Sequence, residues 1–312
     1  MIATRTVFVL GAGASKPYCY PTGAELRTEV LRGLGGQIEK YAPLCEWLDK
    51  EGLREARLRC AEALVKCTPK SVDAFLETRR EFELVGKLAM AYVVMCREDE
   101  GNLFSEEEIP GDWLRYLLSY MSGPFDSFGD NAVSFITFNY DRVLEHVLFN
   151  TVKHRYGKPD VECATVLRKI PIVHVHGSLG PLPWQESDGR PYHPPRQTQE
   201  VGAAADRIKI VCESAEEDLE FNEARTLIRE AQRIYFLGFG YNRNNVERLH
   251  LGECKEGAWI YGTANGSSDR EQEDVCALLN TQIDPAKDPR PVVFVHDCDC
   301  YQFLRYKPVR LD

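Results

Sequence analysis

No two cysteines of this chain are spaced C-x-x-C, no Gly-Lys-Ser/Thr follows a glycine-rich turn, and no apolar run approaches a membrane span in length. The first absence argues against a zinc module built from paired cysteines. The second excludes a P-loop. The third excludes a spanning helix, which needs roughly 18 or more apolar residues. Positive charge is also short: 38 Lys and Arg stand against 48 Asp and Glu, for a formal net charge of -10. An acidic surface disfavours non-specific binding to nucleic acid or anionic membrane, so neither is expected as a partner. The eleven cysteines are odd in number and irregularly spaced, and Cys60, Cys67 and Cys96 fall in apolar helical patterns. They read as reduced thiols rather than a disulfide framework. The first apolar run is too short for a span and ends in Gly and Ser, so the chain is expected in the cytoplasm.

What is present suffices for a sizeable core: 312 residues, 44% of them hydrophobic. Six or seven short apolar runs read as strands, at 6–10, 132–137, 171–176, 208–212, 233–237, 258–261 and 291–296. They are rich in Val, Ile and Phe with little alternation, as strands buried on both faces are. Helical patterns lie between many of them, at 24–34, 142–149, 215–232 and 269–279. That alternation predicts an α/β fold, a parallel sheet with helices on both faces. From about 26 to 125 the rhythm breaks into helix-period stretches at 53–67, 72–96 and 113–121. This interval is expected to be a helical insertion subdomain, bounded at 35–128 within a single domain of 1–312. The segment 181–205 is rich in Pro, Gly, Gln and charge, and long for a loop, as lids often are.

The distinctive polar and Gly-rich motifs follow the carboxyl ends of predicted strands, the edge where open parallel sheets bind ligands. Gly11-Ala12-Gly13-Ala14-Ser15 follows the first strand. Its glycines permit a sharp turn and a close approach to phosphate, although a plain strand-to-loop turn needs the same residues. Lys16 stands where a dinucleotide fingerprint has its third glycine, and no acidic residue ends a clear second strand, which argues against a dehydrogenase. Thr22 and Glu25 have capping-box spacing at the start of the next helix. Thr137-Phe138-Asn139-Tyr140-Asp141 follows the second strand. Asn and Asp are preferred helix caps, yet a cap does not need both of them around a tyrosine.

Alternation places His174 and His176 on one face of the third strand. They read as core histidines, as a His-x-His metal pair lacking a second ligand cluster, or, for His176 before Gly177, as an exposed general base. Gly238-Phe239-Gly240 is a second glycine turn, suited to the other half of a dinucleotide or to a simple βα turn. Asn265 falls at the same edge after the strand 258–261. His296, Cys298 and Cys300 suggest metal to the eye, but zinc needs four ligands and no second pair accompanies them, so no metal is expected.

The order of these motifs resembles the sirtuin superfamily: Gly11 to Ser15, then Tyr20-Pro21-Thr22-Gly23, Thr137 to Asp141, His176-Gly177-Ser178-Leu179 and Gly238-Phe239-Gly240. It is closest to the prokaryotic sirtuin-like NAD hydrolases of anti-phage defence, which the segment Ser71-Val72-Asp73-Ala74-Phe75-Leu76 also resembles. The resemblance implies a Rossmann-like domain with NAD as substrate. Gly11, Ala12, Gly13, Ala14 and Ser15 would cradle the pyrophosphate. Asn139 would sit by the nicotinamide ribose, Asp141 by the nicotinamide amide, and His176 by the ribose hydroxyls, these three being the catalytic set. Gly238, Phe239 and Gly240 would line the adenosine side, with Thr22, Thr137, Gly177 and Asn265 completing the nucleotide contacts.

Two departures matter. Deacylating sirtuins carry two C-x-x-C pairs on zinc, absent here, which makes water the expected acceptor. Cys19 stands where that branch has Gly, so the first loop is expected to differ in shape. The implied activity is an NAD glycohydrolase releasing nicotinamide and ADP-ribose, a defence effector switched on by a protein partner or by self-assembly. The alternatives are an NAD- or ADP-ribose-binding regulatory subunit without catalysis, and a zinc-free deacylase or ADP-ribosyltransferase.

Overall fold

The run Thr-Val-Phe-Val-Leu opening the first strand is apolar on both faces, and every residue of it is buried. Val7 and Val9 point into one core cluster and Phe8 and Leu10 into the other. The run Arg233–Leu237 repeats the pattern, with Ile234 and Phe236 on one side and Tyr235 and Leu237 on the other. Two helical layers over one sheet satisfy such strands, and a computed structural model of the chain has that arrangement. It describes residues 1–210, 219–284, 286, 289, 291–306 and 311.

Six strands, β1 (Thr6–Leu10), β2 (Val133–Thr137), β3 (Ile172–His174), β4 (Arg233–Leu237), β5 (Trp259–Thr263) and β6 (Val292–His296), form one sheet in the order β3-β2-β1-β4-β5-β6. Every pairing is parallel. This is a doubly wound, Rossmann-like order, with its topological switch between β1 and β4. Among the described residues, β1 and β2 are separated by α1 (Gly23–Leu34), α2 (Ala42–Lys50), α3 (Arg54–Cys67), α4 (Val72–Thr78), α5 (Glu83–Met95) and α6 (Trp113–Tyr120). Then come α7 (Val143–Tyr156) and α8 (Asp160–Leu167) before β3, and α9 (Thr198–Arg207) and α10 (Leu219–Glu230) before β4. α11 (Arg243–Arg248), α12 (Asp269–Thr281) and α13 (Cys300–Tyr306) complete the chain order. α10, α11 and α12 cover one face, while α1 to α9 and α13 belong to the other side. Among the described residues no helix is long and apolar enough to cross a membrane.

Two strand expectations change. The strand expected at 171–176 ends at His174, because Gly177 turns the chain: its N–H donates to the His174 carbonyl at 3.2 Å and its φ is +72°. The strand expected at 208–212 does not join the sheet over 208–210. There the Lys209 N–H donates to the His176 carbonyl at 2.9 Å, in a turn rather than a ladder. The remainder of that run, and the first part of the helix expected at 215–232, lie outside the described residues.

The 181–205 segment is not a free lid. Arg142, 1% exposed, donates to the carbonyls of Pro181 (3.2 Å), Arg190 (2.7 Å) and Pro191 (3.1 Å). It also makes a two-pronged pair with fully buried Glu98, both prongs at 2.8 Å, and Arg190 closes on the same carboxylate. Burying three charges is tolerable only when they are mutually paired, so this triad straps the loop down. Tyr192 adds a ring stack on His146 and a hydroxyl contact to Tyr20 at 2.7 Å.

Candidate active site at the carboxyl edge of the sheet

Register brings the motifs together. Leu10 pairs with Thr137 on one side and Leu237 on the other, and Thr137 pairs with His174. The residues that follow these strand ends therefore crowd one edge, at the switch between β1 and β4.

The two glycine turns touch each other. The Gly11 N–H donates to Leu237 O at 3.0 Å, and the Gly13 N–H to Gly238 O at 2.9 Å. A Cβ on Gly11 would lie 2.6 Å from Gly238 O, and one on Gly238 would lie 2.1 Å from Ala14 N. These glycines are required by backbone meeting backbone. A third amide, Ala14 N–H, donates to Gly11 O at 2.9 Å. Three of the donors expected to cradle a pyrophosphate are thus already engaged by protein carbonyls. Ala12 and Gly13 are partly exposed, while Ala14 and Ser15 are buried. Cys19 ends the following 3-10 segment at φ +66°, ψ +16°, the left-handed conformation glycine adopts without penalty. The loop thus keeps a glycine-like backbone despite the cysteine.

The helical interval grips this loop. Trp113 of α6 donates its indole N–H to Ala14 O at 2.7 Å. Tyr18 donates to Asp112 at 2.9 Å and accepts the Leu114 N–H at 3.1 Å.

The second motif divides its labour. Asn139 does not cap a helix: its amide donates to Gly11 O at 3.0 Å and to the Ser15 hydroxyl at 3.1 Å. The Thr137 hydroxyl accepts the Asn139 N–H at 3.1 Å, so it shapes the turn from within. Asp141 does serve α7, accepting the Val143 N–H at 3.2 Å. Burial raises the Asp141 carboxyl to about 6, against the pull of Ser15 and the Val143 amide. Tyr140, between them, bonds Asp73 of α4 through its hydroxyl. That contact gives the 71–76 segment a place at the site.

His174 and His176 do not share a face. His174 lies among the α7 residues, while His176, past the end of the strand, packs on Phe138 and Phe221 at ring distances of 5.2 and 5.9 Å. Burial, together with the Arg248 charge, lowers His176 to about 4 against an opposing bond from Asn245. His176 is therefore a neutral imidazole at ordinary pH. Phe239 meets Phe138 at 4.9 Å, so His176 and the second glycine turn share one aromatic cluster. Gly177 has its own steric reason: a Cβ there would lie 1.9 Å from Arg207 O.

The remaining expected contacts are not drawn in. The Thr22 hydroxyl and N–H both reach the Glu25 carboxylate, at 3.0 and 2.9 Å, in the capping geometry its spacing suggested. Gly240 and Asn265 are exposed, Gly240 in open space and Asn265 in the turn after β5.

Ser15, Thr137, Asn139, Asp141, His174 and Glu145 line one narrow cleft beneath Tyr18 and Trp113, with room inside for about one water molecule. Glu145 was not singled out by sequence. Its available signal was the spacing of one helical turn from Asp141. Asp73 fell within the 71–76 segment but without an assigned contact, Tyr18 follows the first glycine turn without a polar motif of its own, and Trp113 reaches the site from a distant part of the chain. Comparison with protein-family models and with curated proteins finds no match for the chain.

Proposed function

We propose that the chain is a sirtuin-like NAD glycohydrolase that cleaves NAD to nicotinamide and ADP-ribose, with water as acceptor. The observation that carries this reading is the convergence of Asn139, Ser15 and Asp141 at the switch point of the sheet, where such folds bind dinucleotides. Nicotinamide leaves as a neutral ring from a cationic one, so no strong acid is required. The demand is to stabilise the oxocarbenium-like state that develops on the ribose. A carboxyl near 6 suits this, since a bound cation favours its ionised form. The neutral imidazole of His176 can accept from a ribose hydroxyl.

The closed cleft bears on how activity would be controlled. A nicotinamide ribose enters only if the 12–18 segment and α6 separate from the end of β2. This supports an effector held inactive until a protein partner or self-assembly opens it, consistent with a role in defence by NAD depletion. The same closure, with three loop amides already engaged, favours one second reading: a regulatory subunit that binds NAD or ADP-ribose without turnover.

The test is NAD consumption by the purified protein, with nicotinamide and ADP-ribose separated by chromatography, beside Asn139→Ala and His176→Ala. Cleavage by wild type that falls at least about 100-fold in both variants supports the hydrolase and its site. Binding by calorimetry without cleavage leaves the regulatory subunit and a hydrolase awaiting its activator both standing. Neither binding nor cleavage overturns both.

A further inference from the structure

His174 has acceptors on both sides. Its Nδ1 lies 3.0 Å from the main-chain carbonyl of Asn139, and its Nε2 lies 2.5 Å from the Glu145 carboxylate. A carbonyl and a carboxylate only accept, so satisfying both requires a proton on each ring nitrogen, an imidazolium. The electrostatics agree in direction. Burial disfavours the charged ring, but Glu145, the Asn139 carbonyl and Asp141 together outweigh it and raise His174. Burial also pushes Glu145 up, and His174 more than offsets that, holding the carboxyl below its ordinary range. The other charged groups bearing on the pair are Asp141 on His174 and on Glu145, and Arg142 on Glu145.

The pair sits against the turn that carries Asn139 and Asp141. Asn139 is held through its side chain by Gly11 and Ser15, through its N–H by Thr137, and through its carbonyl by His174. The Glu145 side chain is 4% exposed, and its second oxygen, Oε2, is buried with no hydrogen-bond partner among the described residues. Glu145 lines the same cleft as Asn139 and Asp141.

We infer that His174, oriented by Glu145, is a positioning residue that fixes the Asn139 carbonyl and thereby aims the Asn139 amide into the cleft. The inference rests on the hydrolase reading for its kinetic consequence but not for its geometry. Two substitutions separate the arms of the ring. In His174→Asn the amide N–H occupies the place of Nδ1 and keeps the bond to Asn139 while losing Glu145. In His174→Gln the longer amide keeps Glu145 and loses Asn139.

Each variant is compared with wild type by NMR of the Asn139 side-chain amide, by NAD turnover and by thermal unfolding. The expected result is an Asn139 resonance that stays in place in His174→Asn and moves in His174→Gln. With it, kcat falls roughly 10- to 100-fold in His174→Gln, with KM little changed and a smaller loss in His174→Asn, as a displaced reacting group implies. An Asn139 resonance unmoved in both variants, or moved equally in both, overturns the inference whether or not NAD is cleaved. A resonance that moves as expected in a protein that does not cleave NAD leaves the positioning role standing and removes only its kinetic consequence. Loss of turnover that follows the unfolding temperature alone, equal in the two variants, overturns the inference as well.

Discussion

The two halves of the sheet's carboxyl edge differ in kind. On the β1–β3 side, Ser15, Asn139, Asp141, His174 and Glu145 are buried or nearly so and bonded to one another or to backbone around one cleft. On the β4–β6 side, the corresponding residues are glycines and an exposed asparagine; the contacts there are aromatic packing, backbone bonds and a few bonds from turn amides to side chains such as Thr263 and Asp297. The first half stores unfavourable desolvation; the second supplies close packing and open surface. A site of this type needs both: charge held ready where water is scarce, against a wall that can approach it closely.

Substitutions along this edge should therefore divide sharply. The largest effect is expected where the halves meet. Gly238→Ala, at φ +56° with its new Cβ 2.1 Å from Ala14 N, should destabilise the fold by roughly 3–5 kcal/mol in urea unfolding. Gly240→Ala, two residues on in open space, should change stability by less than about 0.5 kcal/mol. Equal effects would mean the two turns do not touch.

Next in size are the buried titrations, whose signs oppose. The folded chain holds the Asp141 proton up to about pH 6 and the unfolded chain releases it near 3.8. The stability this contributes is complete below 3.8 and gone above 6. Asp141→Asn, which keeps an acceptor for the Val143 N–H, should thus gain up to about 3 kcal/mol at pH 7 and nothing below pH 4, and on the proposed hydrolase reading it should lose NAD cleavage. His176 runs the other way. Its folded value of about 4 lies below 6.5, so its contribution is present above 6.5 and lost as pH falls toward 4. Denaturant midpoints from pH 4 to 8 should be flatter for wild type than for Asp141→Asn, in which the acid sensitivity of His176 is unmasked. An Asp141→Asn variant no more stable than wild type at pH 7 would remove the argument that this carboxyl is held at a cost.

Smaller changes follow. Cys19→Gly should raise stability by about 1 kcal/mol, because the residue sits in the left-handed region. Asn265→Ala should alter neither the unfolding midpoint nor NAD affinity measurably, since the side chain is exposed in the β5–α12 turn. A clear loss of affinity would place the adenosine side of the ligand on the second half after all.

Much of the fold was legible in local pattern. Strand cores at 6–10 and 233–237 were readable to the residue, because apolar side chains on both faces of a short run leave few other structures available. Thr22 and Glu25 were likewise readable as a helix start. The failures lie where a distant contact overrides a local signal. The run 171–176 looked like one strand because its residues alternate well, but Gly177 turns it against Arg207 on α9. The 181–205 segment looked like a lid because its composition suits a loop. What pins it is Arg142 paired with Glu98, which lies 44 residues earlier.

The amino-acid sequence by itself determined the strands, their burial on two faces and the placing of polar motifs at their carboxyl ends, since periodicity acts over a few residues. Tertiary structure alone decided what those motifs face. Asn139 meets Gly11 and Ser15 across 128 and 124 residues, and the two histidines part to opposite sides of the sheet. Such pairings depend on strand order and register, which are chosen by the packing of the whole sheet and so leave no mark in any short stretch of chain.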